Sequence, residues 1–248
     1  MKRFFVEQLH DGENTVCITG KELHYLKNVL RLKKGDHIVV FDGRGREFLG
    51  SIENVSKGEA CITIEKKIEV SRESPFEIIL GQGIVKAEKM DLIIQKATEL
   101  GVSRIIPFVT SRVVSKLTGQ QVTKKNQRWQ NIALEAAKQC RRSIIPKVGE
   151  LKTFGEVLKG WDKYTKIIPW EGEKENNLKA MLRPDKSSGC IALIGPEGGF
   201  SDSEVVEAQQ AGFSPVTLGP RILRTETAAI SIVAIIQYEL GDMGGSYQ

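Results

Sequence analysis

Residues 190–212 read CIALIGPEGGFSDSEVVEAQQAG, and this stretch decides the fold. Residues 190–194 form an apolar run without alternation. That is the pattern of a strand covered on both faces, as a central strand of a parallel sheet is. Ser201 and Glu204 then stand in an S-x-x-E capping box, which predicts a helix starting at 201 and running to Gly212. Between them Gly195, Gly198 and Gly199 allow a sharp turn and a close approach of backbone. A buried strand, a glycine loop and a helix make the repeating unit of an open α/β sheet, and ligands in such sheets bind outside the carboxyl ends of the strands. The loop carries no GxxxxGK[ST] and no GxGxxG, which argues against nucleoside triphosphates and dinucleotides.

The same grammar appears on either side. IIPWEGE, residues 167–173, ends one apolar strand in a glycine loop. TLGPRILRTETAAI, residues 217–230, ends another. In the latter Arg221, Arg224 and Glu226 crowd the head of a helix, 226–240, that is apolar almost all round and so is expected to be buried or to pack on another subunit. It is too short for the ~20 residues that span a bilayer. Charged groups at the head of a buried helix are costly unless paired or used, and an Arg–Glu pair capping the helix is the plain alternative to a chemical role. Three loops at the carboxyl ends of three strands are suited to enclose one flat, mostly neutral ligand such as an adenosyl group.

Further upstream, EIILGQGI, AEKMDLIIQKATELGV, RIIPFVT, a helix from about residue 124 to 140, and YTKIIPW continue the alternation of strand and helix. That alternation predicts a parallel sheet with helices on its faces. Residues 1–72 are written differently. TVCIT, HIVVFDG, REFLGSIENV and ACITIEKKIEV are short β-branched runs around one helix, KELHYLKNVL, and predict a small β-barrel. SRESPFE, residues 71–77, is polar and holds a proline, so it is the expected linker. The predicted domains are 1–72 and 75–248.

Hydrophobic residues are 40% and charged residues 27% of 248, the balance of a soluble globular chain. The start, MKRFFVEQLHDGEN, lacks the apolar core of a secretory signal. Cys17, Cys61, Cys140 and Cys190 lie far apart, with no CxxC and no histidine at ligand spacing. They are expected to be small buried residues in a reducing cytoplasm, with neither metal nor disulfide. The net charge is +5, and between residues 104 and 147 ten basic residues face one acid, Glu135. Such a concentration favours a polyanion partner, because each neutralised phosphate releases counterions.

Four strings carry a resemblance. IGPEGGFSDSE, LGPRILRTETA, QKATELGV and HYLKNVLRLKKGD resemble the RsmE family, S-adenosyl-L-methionine-dependent methyltransferases acting on N3 of a uridine in 16S ribosomal RNA of the small ribosomal subunit. The resemblance spans nearly the whole chain. It implies an N-terminal PUA-like β-barrel, a C-terminal α/β SPOUT domain with a trefoil knot, and a homodimer with the 226–240 helix at its interface. Carried over by position, the donor pocket would be Pro169, Trp170 and Glu171 in one loop. In the next it would be Ile194, Gly195, Pro196, Glu197, Gly198 and Gly199. The last part would be Leu218, Gly219, Ile222 and Leu223, with Thr227 and Ala228 at the helix head. Arg224, and after it Arg221, would stabilise charge on the uracil, while Glu226 would orient the arginine or accept a proton. Arg3 and Arg31, at basic positions of the family pattern, and Arg141 and Arg142, taken from charge together with that match, are the expected RNA contacts. Other readings of the same strings are a SPOUT enzyme acting on transfer RNA or a 2′-hydroxyl, and a ribosome assembly factor without catalysis.

Overall fold

The computed structural model describes residues 1–69, 72–112, 119–182, 187 and 189–245. The chain divides into two units, Met1–Glu73 with Ala137–Ile145, and Ser74–Ala136 with Pro146–Gln248.

In the first unit, β1 (Arg3–Phe5) lies parallel to β3 (His37–Phe41). β3, β4 (Glu47–Val55), β5 (Ala60–Lys67) and β2 (Thr15–Ile18) follow in antiparallel pairs. The strands predicted from sequence are these, except β1. Its three residues carry too little periodicity to read, and its partner lies more than thirty residues on. The KELHYLKNVL helix is α1 (Gly20–His24), continued by a π-helical turn, Tyr25–Val29. Phe4, Leu26, Ile38, Val40, Ile52 and Ile62 fill one core beneath the sheet. The segment Ala137–Ile145 joins this unit rather than its sequence neighbours. The Ile145 N–H donates to the Gly43 carbonyl at 3.0 Å, and the Gly45 N–H donates to Ser143 at 3.1 Å. Contiguous boundaries could not show that. The cysteine expectation is corrected here too: Cys190 alone is buried, Cys17 is exposed, and Cys61 and Cys140 are half-buried.

The second unit is built on an all-parallel sheet. Its strands are β6 (Glu77–Gly83), β7 (Arg104–Val109), β8 (Lys147–Val148), β9 (Lys152–Thr153), β10 (Tyr164–Pro169), β11 (Gly189–Ile194) and β12 (Ser214–Val216). They stand in the order β12-β10-β11-β6-β7-β8, with β9 also on β7. Every residue of β11 is buried, as its lack of alternation predicts. Between β6 and β11 the backbones are so close that a Cβ on Gly83 would come within 2.7 Å of the Pro196 nitrogen. Gly83 is therefore needed to seat the loop after β11. On one face α4 (Phe154–Val157) and α6 (Asp202–Gln210) close over Phe108, Phe154 and Phe200, whose ring centroids lie 5.7–6.3 Å apart. Each such ring contributes roughly 1.5–3 kcal/mol by leaving water. Elsewhere on the sheet α2 (Ala87–Glu99) packs with α7 (Thr225–Leu240), which touches β6 and β11. The helix α3 (Gly119–Cys140) starts a turn earlier than its sequence pattern indicates, and α5 (Leu178–Met181) is a single turn that the sequence did not announce. Among the described residues no helix is long and apolar enough to cross a membrane.

Candidate functional site

β12, β10 and β11 are neighbours and run the same way, so their three following loops leave the sheet side by side. Together with the start of α7 they enclose a cavity of about 290 Å³, at the lower end of the usual size for a ligand site. Its lining residues come largely from these loops, and internal bonds set the shape of their backbone. The Gly199 N–H donates to the Pro196 carbonyl at 3.0 Å, closing a turn with Gly199 at φ 65°. The Trp170 N–H donates to Val216 at 3.1 Å, and the Gly219 N–H donates to the Thr217 hydroxyl at 3.1 Å. The Thr225 hydroxyl donates to the Gly195 carbonyl at 2.6 Å and accepts from the Gln82 amide at 3.3 Å. Among the described residues the N–H groups of Leu218, Ile222 and Leu223 have no protein acceptor.

The charges are arranged around two carboxylates. Lys89 Nζ, on α2, stands 3.5 Å from Glu197 and 3.5 Å from Glu226. It thus joins the loop after β11 to the head of α7. Burial pushes the Glu197 carboxyl up, but hydrogen bonds from its own backbone and from the Lys86 N–H, with the Lys89 charge, hold it below the usual range. Glu226 Oε2 is buried and, among the described residues, accepts no hydrogen bond. Behind the loop, Glu204 accepts from the N–H and hydroxyl of Ser201 and from the N–H and hydroxyl of Ser111, at 2.8–3.1 Å. The capping box is therefore also a strap between two loops. Arg112 adds to it, donating to the Gly198 carbonyl at 2.6 Å.

Of the residues read from the sequence as the donor pocket, the cavity is lined by Pro169, Trp170 and Glu171, by Ile194 to Glu197 and Gly199, and by Leu218, Gly219, Ile222, Leu223 and Ala228. Gly198 and Thr227 are not in its wall; both are exposed. Arg221 and Arg224 line it and are exposed, and among the described residues neither has an acidic partner. Glu226 lies behind the wall and pairs with Lys89, so the Arg–Glu cap does not form and Glu226 orients no arginine here. Sequence reasoning missed Lys89, Phe200, Thr217, Pro220 and Thr225. Four of those sit inside the strings already singled out. Lys89 had one indirect signal, its place just after the carboxyl end of β6.

The four arginines assigned to RNA divide into two pairs. Arg31 and Arg141 are exposed. Arg3 and Arg142 are not available. The Arg3 side chain is 7% exposed, ion-paired with Glu47, 2.8 Å from the Arg142 carbonyl and stacked over Phe41. Arg142 binds Glu73 through Nε at 2.9 Å and a terminal nitrogen at 2.8 Å, and is 5% exposed. Both guanidinium groups hold the first unit together, which corrects the reading of them as phosphate contacts.

Two family models match the chain: an RNA methyltransferase domain over residues 72–237 and an RNA methyltransferase PUA domain over residues 18–65. Among curated relatives, ribosomal RNA small subunit methyltransferase E of Bacillus subtilis is 35% identical over 96% of this chain and 97% of its own. The protein of the same name in Mesomycoplasma hyopneumoniae is 37% identical over 94% and 97%. Among solved structures, ribosomal RNA small subunit methyltransferase E of Neisseria gonorrhoeae, bound to S-adenosyl methionine, superposes with a TM-score of 0.90 at 34% identity, covering 98% of this chain and 99% of that one.

Proposed function

The chain belongs to the ribosomal RNA small subunit methyltransferase E family, and on that premise we propose that it transfers a methyl group from S-adenosyl-L-methionine to N3 of a uridine in 16S ribosomal RNA. The observation that carries this is one cavity walled by three loops from three adjacent parallel strands, two of which are the long strings GPEGGF and GPRILRTE.

The residues fit the donor. Ile194, Leu218, Ile222 and Leu223 offer an apolar bed for a flat base, and the amides of Leu218, Ile222 and Leu223 offer free donors to its polar edge. A Cβ at Gly219 would meet nothing within 4 Å, so the loop leaves open space there. Glu171 and Glu197 bring negative charge to the wall. When bound, S-adenosyl-L-methionine supplies an electrophilic methyl group on a positively charged sulfur.

N3 of uridine is protonated at neutral pH and attacks poorly. The enzyme has to favour its deprotonated form and align it, since positioning contributes much of such catalysis. Arg224, with Arg221 beside it, is the group that meets negative charge on the uracil oxygens, being exposed at the cavity with no carboxylate among the described residues to neutralise it. Glu226, which does not line the cavity and pairs with Lys89, acts through that lysine rather than on the uracil itself. RNA is engaged through the exposed Arg31 and Arg141, with the target base displaced from its stack to reach the cavity. The PUA-like domain is residues 1–73 completed by 137–145, and the remainder is a knotted SPOUT domain. A homodimer through α7 is supported by Ile235 and Tyr238, which remain 38% and 64% exposed on one chain.

Incubation with labelled donor and small ribosomal subunits lacking the modification, followed by digestion and mass spectrometry, tests the reading. Label in 3-methyluridine is expected. Label in another nucleoside, or only on transfer RNA, would redirect it to another RNA. Donor binding without transfer to any RNA would leave an assembly factor.

A further inference from the structure

Cys17 and Cys61 lie 44 residues apart in sequence and directly opposite each other on β2 and β5, with their sulfurs 3.7 Å apart. The N–H of Ile64 donates to Asn14 at 2.8 Å. That makes 14 and 64 a hydrogen-bonded pair, and by alternation 17 and 61 a non-hydrogen-bonded one, the kind that brings side chains closest. Neither thiol belongs to the core. On β2 the apolar contacts are made by Val16 and Ile18, on β5 by Ala60 and Ile62, and the cysteines point the other way, toward water. Glu59 stands two residues before Cys61, hence on the same side. The turn that presents it is tied by Ser56, whose hydroxyl accepts from the N–H groups of Gly58 and Glu59 at 3.2 and 3.1 Å.

We propose that Cys17, Cys61 and Glu59 form a surface site for a thiophilic divalent cation of the zinc class. Sulfur–sulfur contact alone would account for the cysteine pair. The carboxylate is what makes it a converging donor set. Its Oε1 lies 4.0 Å from Cys61 Sγ, and one ligand atom from each of the three residues falls within 4.8 Å of the others. Two thiolates on a tetrahedral zinc, each about 2.3 Å from the metal, stand about 3.8 Å apart, so the sulfurs already span that edge. A disulfide would need them at about 2.05 Å and an oxidant besides. The exposed side leaves the fourth position to water, as in sites that exchange their metal.

The test is titration of the full reduced chain with Co²⁺, followed by displacement with Zn²⁺. One equivalent per chain is expected, with thiolate-to-metal charge-transfer absorption and the visible bands of a tetrahedral ion. Cys17→Ser and Cys61→Ser should each weaken binding by more than about tenfold, and Glu59→Gln by less. Cys190→Ser should leave the titration unchanged. Circular dichroism of each variant separates loss of a ligand from loss of the fold. The proposal falls if no charge-transfer band develops, if the same spectrum persists in the Cys17→Ser/Cys61→Ser double variant, or if the freshly purified chain holds the pair as a disulfide.

Discussion

The two sheets of this molecule place function differently. In the parallel sheet the strands at the centre are buried on both faces, so only their carboxyl ends meet a ligand, and the site collects in three short loops. In the other sheet, antiparallel but for β1, one face fills a core and the other meets water. Residues that share such a face come from strands far apart in sequence. A loop site is written as a contiguous string, whereas a face site is written as every second residue of several strands. The first kind is legible in a single sequence, and the second is legible only once the pairing is known.

The sharpest test of the loop site is Arg224→Ala. If Arg224 acts on the acceptor, kcat should fall by roughly 10²–10³, the cost of losing one preorganised charge partner of a developing oxyanion. Donor affinity, measured by calorimetry, should stay within a few-fold. A parallel collapse of donor binding would make Arg224 part of the donor wall instead. Glu204→Gln comes next and addresses the strap behind the loop. Four donors converge on that buried carboxylate, and weakening them should cost roughly 1–3 kcal/mol, read as a lower Tm. The sign with pH is fixed. Burial raises the Glu204 carboxyl, but the donors from Ser201 and Ser111 outweigh it and hold it below the usual range. Its stabilisation is therefore fully present above about pH 4.3 and is lost as pH falls through the depressed folded value. The Tm difference between wild type and Glu204→Gln should be constant near neutrality and shrink in acid. A smaller effect is expected for Lys89→Ala. Losing the link between Glu197 and Glu226 should reduce kcat/KM by about tenfold, the scale of about 1.4 kcal/mol, with Lys89→Arg recovering part of it. An unchanged kcat/KM would mean that the lysine merely neutralises the two carboxylates.

The same distinction explains what sequence could and could not show. β11 and its loop were readable because burial on both faces removes alternation and a capping box announces the next helix. Thr217 and Thr225 were within reach, lying inside the recognised strings. Lys89 was not, because its partners Glu197 and Glu226 are more than a hundred residues away and only the strand order brings them together. The order β12-β10-β11-β6 has no local signature at all. In the first unit the misreading ran the other way. Arg3 looks like an available charge in KRFF, but Glu47 and the Arg142 carbonyl, at separations of 44 and 139 residues, take it inside. Cys17 and Cys61 looked like isolated small residues for the same reason.

The smallest predicted effect tests the antiparallel half of the comparison. Arg31→Ala and Arg141→Ala should each weaken RNA binding only a few-fold, because an exposed arginine contributes mainly by releasing counterions. Each should also reduce the slope of log affinity against log salt by about 0.7 for a single-stranded contact. Arg142→Ala should do the opposite. Removing it leaves Glu73, whose carboxylate also accepts from the N–H groups of Ser143 and Ile144 at 2.9 and 3.0 Å, half-buried without its cation. Thermal stability should drop, while the salt slope of the remaining folded protein should match wild type. Measuring slope and Tm on the same four variants, with Arg3→Ala as the fourth, separates a charge that meets phosphate from a charge that closes a fold. If Arg3→Ala or Arg142→Ala lowered the slope at unchanged Tm, these contacts would have to rearrange on RNA to release them, and RNA binding by the first unit, unlike the loop site, would not follow from its resting geometry.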